Sequence, residues 1–185
     1  MDYQIRLATI DDLPAIVDIF NQAIPLQVND ESAPIEVADR REWFLQFDST
    51  HPIWVATVNE QVIAWCALEY FYPHPAYDHS AQIAIYIHED YRRQHLGHDL
   101  LTYAQKQIED HLDIRTAIAY IYIENQASYR LFTSCGYKEW GKLPQISEIN
   151  GQMRSLYMMG RNFGSTISGV DIEISLSIPI SDFCF

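Results

Sequence analysis

The residues best placed to do chemistry lie between Ala81 and Asp110, a stretch that reads AQIAIYIHEDYRRQHLGHDLLTYAQKQIED. An apolar run, Ala81 to Ile87, stops at His88-Glu89-Asp90. A short basic turn comes next, Arg92-Arg93-Gln94-His95-Leu96-Gly97, and apolar residues then recur at Leu96, Leu100, Leu101, Ala104 and Ile108. That recurrence is helical, with Lys106, Gln107, Glu109 and Asp110 left for water. The unit predicted is strand, tight turn, helix. The first backbone N–H groups of a helix lack partners within it and sit at the positive end of its dipole. The turn therefore suits an anion such as a pyrophosphate. Gly97 lets the backbone approach such a ligand closely, and Arg92 and Arg93 add positive charge. An ordinary strand–helix unit with a solvated basic turn has the same spacing, so spacing alone leaves both readings open.

Other elements must position this unit. Tyr3 to Leu7 alternates and predicts a first strand. A helix comes after it, with Asp11 as N-cap, Pro14 in its first turn and an apolar stripe of Leu13, Ile16, Val17, Phe20 and Ile24; Pro25 ends it. Leu26 to Ile35 reads as a loop. Val37 to Phe47 predicts a second helix with Trp43, Phe44 and Phe47 inward. Ile53–Val58 and Gln61–Tyr70 predict a hairpin turning at Asn59-Glu60, with no glycine to mark it. In LEYFYPHPAYDH, residues 68–79, the aromatics Tyr70, Phe71, Tyr72 and Tyr77 suit the lining of an opening and plain packing equally. Thr116 to Ile123 predicts a strand. Asn125 opens a helix that turns Ala127, Leu131 and Phe132 inward and closes at Gly136. Tyr137 to about Leu143 and Arg154 to Met159 predict the last strands of the domain. In the tail, Ile172, Ile174, Leu176, Ile178 and Ile180 alternate with polar residues and Pro179, which predicts an edge strand added to the sheet or exchanged with a second subunit.

Bulk properties narrow the classes. The 185 residues are 48% hydrophobic, which predicts one compact domain; GSTISG reads as a linker, which predicts a domain over residues 1–163 and an extension over 164–185. The formal charge of −13 argues against a nucleic-acid partner and mildly favours cations such as amines. No apolar run is long enough for a membrane span, and MDYQIRLATIDD does not read as a signal peptide. Cys66, Cys135 and Cys184 have no metal-ligand spacing, and neither have His74 and His79; no metal is expected, and a reducing cytoplasm is the simplest setting. A homodimer is the default assembly.

The basic turn, together with a second segment downstream of it, resembles a known family. In the GNAT superfamily of N-acetyltransferases the acetyl-CoA-binding segment reads Arg/Gln-x-x-Gly-x-Gly/Ala. Here Arg92 stands at the first position, Gly97 at the last, and His95 where the first glycine is usual. Asn125-Gln-Ala-Ser128-Tyr-Arg-Leu131-Phe132-Thr-Ser-Cys-Gly136-Tyr137 is similar to the family's later segment, at the expected separation. The resemblance runs from Tyr3 to Phe163 and is nearest to the phosphinothricin/methionine sulfoximine N-acetyltransferase-like branch. It implies an α/β GNAT-type acyl-CoA N-acyltransferase fold: a mixed twisted sheet of about seven strands with splayed central parallel strands, flanked by about four helices.

The activity implied is direct acetyl transfer from acetyl-CoA to the primary amine of a small or amino-acid-like acceptor. By the same resemblance the splay separates Ala84–Ile87 from Ala117–Tyr122. The main chain at Ile85 and Ile87 faces the thioester arm. The turn Arg92, Arg93, Gln94, His95, Leu96, Gly97 and His98 cradles the pyrophosphate, and Asn125 and Ser128 lie beside the cofactor. An amine of pKa ~10 is only about one part in 1,000 deprotonated at neutral pH, a deficit of ~4 kcal/mol that a base must offset. Two departures bear on this. The branch's usual strand glutamate is Gln82 here, and the family's general-acid tyrosine is Phe132. The replacement base is expected at Glu69 or His79, with His88 and Glu124 as further candidates and Tyr86 and Tyr122 assisting by hydrogen bonds. The same departures motivate an alternative: a non-catalytic acyl-CoA-binding or interaction protein with a degenerate site.

Overall fold

The computed structural model describes residues 2–164. Its sheet has seven strands: β1 (Gln4–Leu7), β2 (Ile53–Val58), β3 (Gln61–Tyr70), β4 (Ser80–Ile87), β5 (Thr116–Tyr122), β6 (Lys138–Ile149) and β7 (Gln152–Asn162). They lie in the order β1-β2-β3-β4-β5-β7-β6. The helices are α1 (Leu13–Asn21), α2 (Val37–Phe44), α3 (Leu96–His111) and α4 (Gln126–Ser134). Neighbouring strands run antiparallel except β4 and β5, which are parallel and joined through α3. A parallel pair requires such a crossover, so the strand–turn–helix unit sits at the centre of the sheet.

The middle strands are apolar on both faces because helices cover both. On one face, Trp54, Ile63 and Cys66 join Leu100, Leu101, Ala104 and Ile108 of α3 in one buried cluster. On the other, Val55, Trp65 and Ala67 pack against Leu13, Ile16 and Val17 of α1 and Phe44 of α2. Trp65 also donates its indole N–H to the Ile16 carbonyl at 3.1 Å, which fixes α1 over β3. Each such aliphatic side chain stabilises the fold by ~1.5–3 kcal/mol on burial.

Several local expectations shift. The chain enters α1 through a single 3₁₀ turn, Ile10–Asp12, and not with Asp11 as the cap. Asp12 accepts the Thr9 amide at 2.7 Å and pairs with both Arg6 terminal nitrogens at 2.7 and 2.8 Å. Asp12 thereby joins the Arg6 ion pair to a local contact with Thr9, and the turn starts from Thr9 instead of Asp11. α1 stops at Asn21, and Pro25 falls in a separate 3₁₀ turn, Ile24–Leu26. The Asn59-Glu60 hairpin forms as expected, with both residues left-handed at φ 48° and 67°. The two closing strands are longer than their apolar patterns suggest and meet in a hairpin turning at Asn150-Gly151, φ 51° and 75°. The expected strand in the tail lies outside the described residues.

Leu101 is fully buried where α3 crosses the sheet. Leu101→Ala is expected to cost about 2–5 kcal/mol, read as a lower urea midpoint at unchanged slope.

Candidate active site

β4 and β5 part company early. They pair at Ser80↔Thr116, Ala81↔Ala117 and Gln82↔Ile118, and no further. From Ile83 to Ile87 the β4 edge facing β5 has no strand partner, while its other edge stays paired with β3 up to Ala64↔Ile87. β5 remains bonded to β7 on its far side through Tyr122↔Leu156. The expected splay is present, opening one residue earlier on β4 and two residues later on β5 than anticipated. A cleft lined by open main-chain edges suits an extended ligand arm that carries amides of its own.

The basic turn closes the wide end of this cleft. Among the described residues, none of the amides of Arg93, Gln94, His95, Leu96, Gly97 and His98 has a hydrogen-bond acceptor. Arg93 and His95 are left-handed, at φ 61° and 63°, and His95 is the N-cap of α3 without a side-chain cap bond. Free amides beside left-handed residues at a helix N-terminus are suited to hold an anion. Histidine holds this conformation at about 1–2 kcal/mol relative to glycine. Arg92 braces the turn from within. Its Nε donates to the Ile87 carbonyl at 3.1 Å and an Nη to Gln22 O at 3.4 Å, tying the turn to the end of β4. The Gln94 side chain likewise donates to Asp90 O at 2.9 Å. Arg93 and His98 stay exposed or half-exposed. Asn125 caps α4, its Oδ1 accepting the Ser128 amide at 3.1 Å and its Nδ2 donating to Ser128 Oγ at 3.2 Å.

A cavity of about 180 Å³ opens on the α1/α2 side of β3 and β4. Gln82, Ala84 and Tyr86, alternate residues of β4, form its floor with Trp65 and Glu69 of β3. Glu69 and Gln82 are direct cross-strand partners, so the carboxylate sits beside the position where the branch's glutamate is missing. Phe20 of α1 and Arg40 and Trp43 of α2 make the walls, and Asn29, Asp30 and Glu31 come from the loop between those helices. Burial pushes the Glu69 carboxyl above the usual range; nearby Asp30 pushes the same way, while the Trp43 indole and the Arg40 guanidinium oppose it. Burial also raises the Tyr86 phenol, whose ring stacks on Trp65 at 4.6 Å between centroids and meets Phe20 at 5.1 Å. Tyr86 is thus a neutral hydrogen-bonding group.

The other proton-carrier candidates lie elsewhere. His79 precedes β4, is exposed, and has its Nδ1 2.8 Å from Asp113 O and 3.2 Å from an Asp113 carboxylate oxygen. It does not line the cavity with Glu69 and Tyr86. The His88 Nδ1 accepts the Asp90 amide at 3.3 Å in the turn after β4. Glu124 pairs with Arg154 at 2.9 Å, and that hydrogen bond holds its carboxyl below the usual range, which disfavours it as a base. Phe132 is buried edge-on against Tyr137. Of the aromatic segment, Tyr70 donates to Asp48 at 2.9 Å and stacks on His51, while Phe71, Tyr72 and Tyr77 cluster together; none lines the cavity.

One group of contacts had no signal in the sequence. The Tyr122 hydroxyl, at the end of β5, donates to Asp30 and lies 3.0 Å from Ser147 Oγ. Buried Arg154 of β7 donates to the Gln27 side chain and to its carbonyl, both at 3.2 Å. The α1–α2 loop is thereby fastened across to the far side of the cleft. Burial and the bond to Asp30 push the Tyr122 phenol up to about 12.

The fold and the site define an acetyltransferase. The family model described as "Acetyltransferase (GNAT) family" matches residues 13–137, and the chain belongs to that family. A Bacillus subtilis protein named "Putative phosphinothricin acetyltransferase YwnH" is 38% identical over 159 residues, covering 85% of this chain and 97% of its own. The L-methionine sulfoximine/L-methionine sulfone acetyltransferase of Pseudomonas aeruginosa is 27% identical, covering 91% of this chain and 99% of its own. A crystal structure of "a putative phosphinothricin N-acetyltransferase" superposes with a TM-score of 0.85 at 36% identity, covering 89% of this chain and 100% of that one. The chain is an N-acetyltransferase, which sets aside the non-catalytic alternative, and acetyl-CoA is its cosubstrate. The residues present fit that group: unpartnered amides at a helix start suit its pyrophosphate, and the open β4 edge suits its amide-bearing arm.

A Cβ at Gly97 would meet Leu131 Cδ2 at 3.3 Å and Ile87 Cδ1 at 3.9 Å. Gly97→Val is expected to weaken CoA binding by about tenfold or more in calorimetry and to cost ~1–3 kcal/mol of stability through overpacking. Unchanged affinity would rule out this turn as the phosphate site.

Proposed function

We propose that the chain acetylates the primary amine of a small amino-acid-like acceptor, with Glu69 as the base. The observation that carries this reading is the pairing of Glu69 with Gln82, the last β4 residue still bonded to β5. One carboxylate of raised pKa thus stands where the cofactor cleft begins and also lines the acceptor cavity. Relatives named for acetylating methionine sulfoximine, methionine sulfone and phosphinothricin support an acceptor of this size and type.

Acetyl-CoA supplies the activated acetyl thioester. The protein's own part is to hold and to deprotonate. Main-chain amides from Arg93 to His98 take the phosphates, aided by Arg93 and His98. The β4 edge around Ile85 and Ile87 offers N–H groups to the arm and its carbonyl oxygen, with Asn125 and Ser128 on the opposite side. Glu69 removes the ammonium proton, directly or through water, and a raised pKa brings its proton affinity nearer to neutrality. Tyr86 donates a hydrogen bond in the same cavity. Phe132 offers no proton, and a thiol of pKa ~8.5 needs little help to leave. A cytoplasmic homodimer completes the reading. Cys66 and Cys135 are buried free thiols, which suits a reducing compartment, and two-fold closure is the commonest assembly. Among the described residues no helix is long and apolar enough to cross a membrane.

CoA release from acetyl-CoA should rise above background with methionine sulfone, methionine sulfoximine or phosphinothricin as acceptor. No turnover with any of them would overturn the acceptor class. Because the Glu69 carboxyl is raised, its basic form fills as pH climbs through that elevated value, so kcat/KM should rise with pH along a Glu69 limb. Glu69→Gln is expected to lower kcat by about 10²- to 10³-fold and to abolish that limb. A variant with the wild-type rate and pH profile would exclude Glu69 as the base.

A further inference from the structure

Among the described residues that line the acceptor cavity, Arg40 is the only cation, set against Asp30, Glu31 and Glu69. Its setting is unusual for a structural arginine. Its one side-chain hydrogen bond among the described residues is a long one, Nη2 to Glu31 Oε1 at 3.4 Å. Otherwise the guanidinium carbon rests 4.8 Å from the Phe20 ring centroid and 5.5 Å from that of Trp43. Aromatic faces hold the plane of the group without occupying its N–H donors, so the fork stays available to a planar anion.

We propose that Arg40 binds the carboxylate of the acceptor and thereby decides that the cavity takes an α-amino acid over a plain amine; this rests on the acceptor class proposed above. Without Arg40 a carboxylate in the cavity would face three like charges. With it, a zwitterion is matched at both ends, the carboxylate on the Arg40 fork and the ammonium toward Glu69 and Asp30. The long Glu31 contact is the one the acceptor's carboxylate replaces, and a bidentate Arg–carboxylate pair is the stronger of the two.

The test compares L-methionine sulfone with 3-(methylsulfonyl)propan-1-amine, the same skeleton without its carboxylate. Arg40 also acts on the protonation of Glu69, but that effect is common to both acceptors and cancels in the ratio of their kcat/KM values. The wild type should favour the amino acid. Arg40→Gln should reduce that preference by about tenfold or more, mainly through the KM of the amino acid, while CoA binding by calorimetry is retained. Arg40→Lys, which keeps the charge and loses the fork, should fall between and guards against a glutamine variant that does not fold. Glu31→Gln, which removes the ion pair but leaves Arg40, should not reduce the preference. A preference that survives in both Arg40 variants, or is absent from the wild type, overturns the assignment and leaves the acetyltransferase reading standing. Failure of the wild type to acetylate either compound overturns the assignment together with the acceptor class on which it rests.

Discussion

The structure depends on two parallel strands that bond for three positions and then separate. Main-chain N–H and C=O groups are obligatory hydrogen-bonding groups, and an open strand edge inside a sheet is unfavourable unless something else satisfies it. Here both strands are held apart by their outer neighbours. β4 is bonded to β3 along its length, from Tyr70↔Ala81 to Ala64↔Ile87, and β5 to β7 from Thr116↔Asn162 to Tyr122↔Leu156. Ile83 and Ile121 remain in the cluster built around α3, so the underside of the gap is filled even where the edges are open. The outer pairings and the packing against α3 thereby keep a slot whose chemical demand is for amides and carbonyls in an extended line.

The cavity on the opposite face arises from strand alternation. Gln82, Ala84 and Tyr86 point away from α3 because Ile83, Ile85 and Ile87 point toward it. Ala84 is small and leaves room; Trp65, Tyr86 and Phe20 give that room rigid aromatic sides. The antiparallel register then decides which β3 side chain enters. A slip of β3 by one residue would turn Glu69 to the α3 face and leave Gln82 in the cavity without a carboxylate beside it. The placement of the Glu69 carboxylate therefore depends on register and not on its separation in sequence from the basic turn.

Between slot and cavity runs a set of polar contacts that joins distant parts of the chain: Tyr122 to Asp30, and Arg154 to Gln27. Gln27 is left-handed at φ 53°, a conformation that its two bonds to Arg154 help to hold. The Arg154 guanidinium also lies over the Tyr122 ring, 5.1 Å from its centroid. A buried arginine is retained where its partners are fixed, and these partners belong to the loop that supplies Asp30 and Glu31 to the cavity.

Much of this was legible in the residues. The strand, basic turn and helix between Ala81 and Asp110 were determined by local pattern: an apolar run, a glycine, then helical periodicity. The order of helices and strands, and the Asn59-Glu60 turn, rest on similarly short-range rules. His79 and Glu69 were equal candidates on residue type alone, and only the register of β3 on β4 put Glu69 in the cavity and left His79 beside Asp113. Arg92 looked like a phosphate ligand because charge is visible in a sequence, whereas its bond to the Ile87 carbonyl is not. Arg40 carried no signal, since an arginine in a short polar helix is ordinarily solvated. Periodicity and turn chemistry act over a few residues, so the sequence by itself determined most of the elements and the strand–turn–helix unit from Ala81 to Asp110. Which charges share a cavity is set by pairings across the sheet, such as Glu69↔Gln82, and those exist only once the sheet has chosen its register.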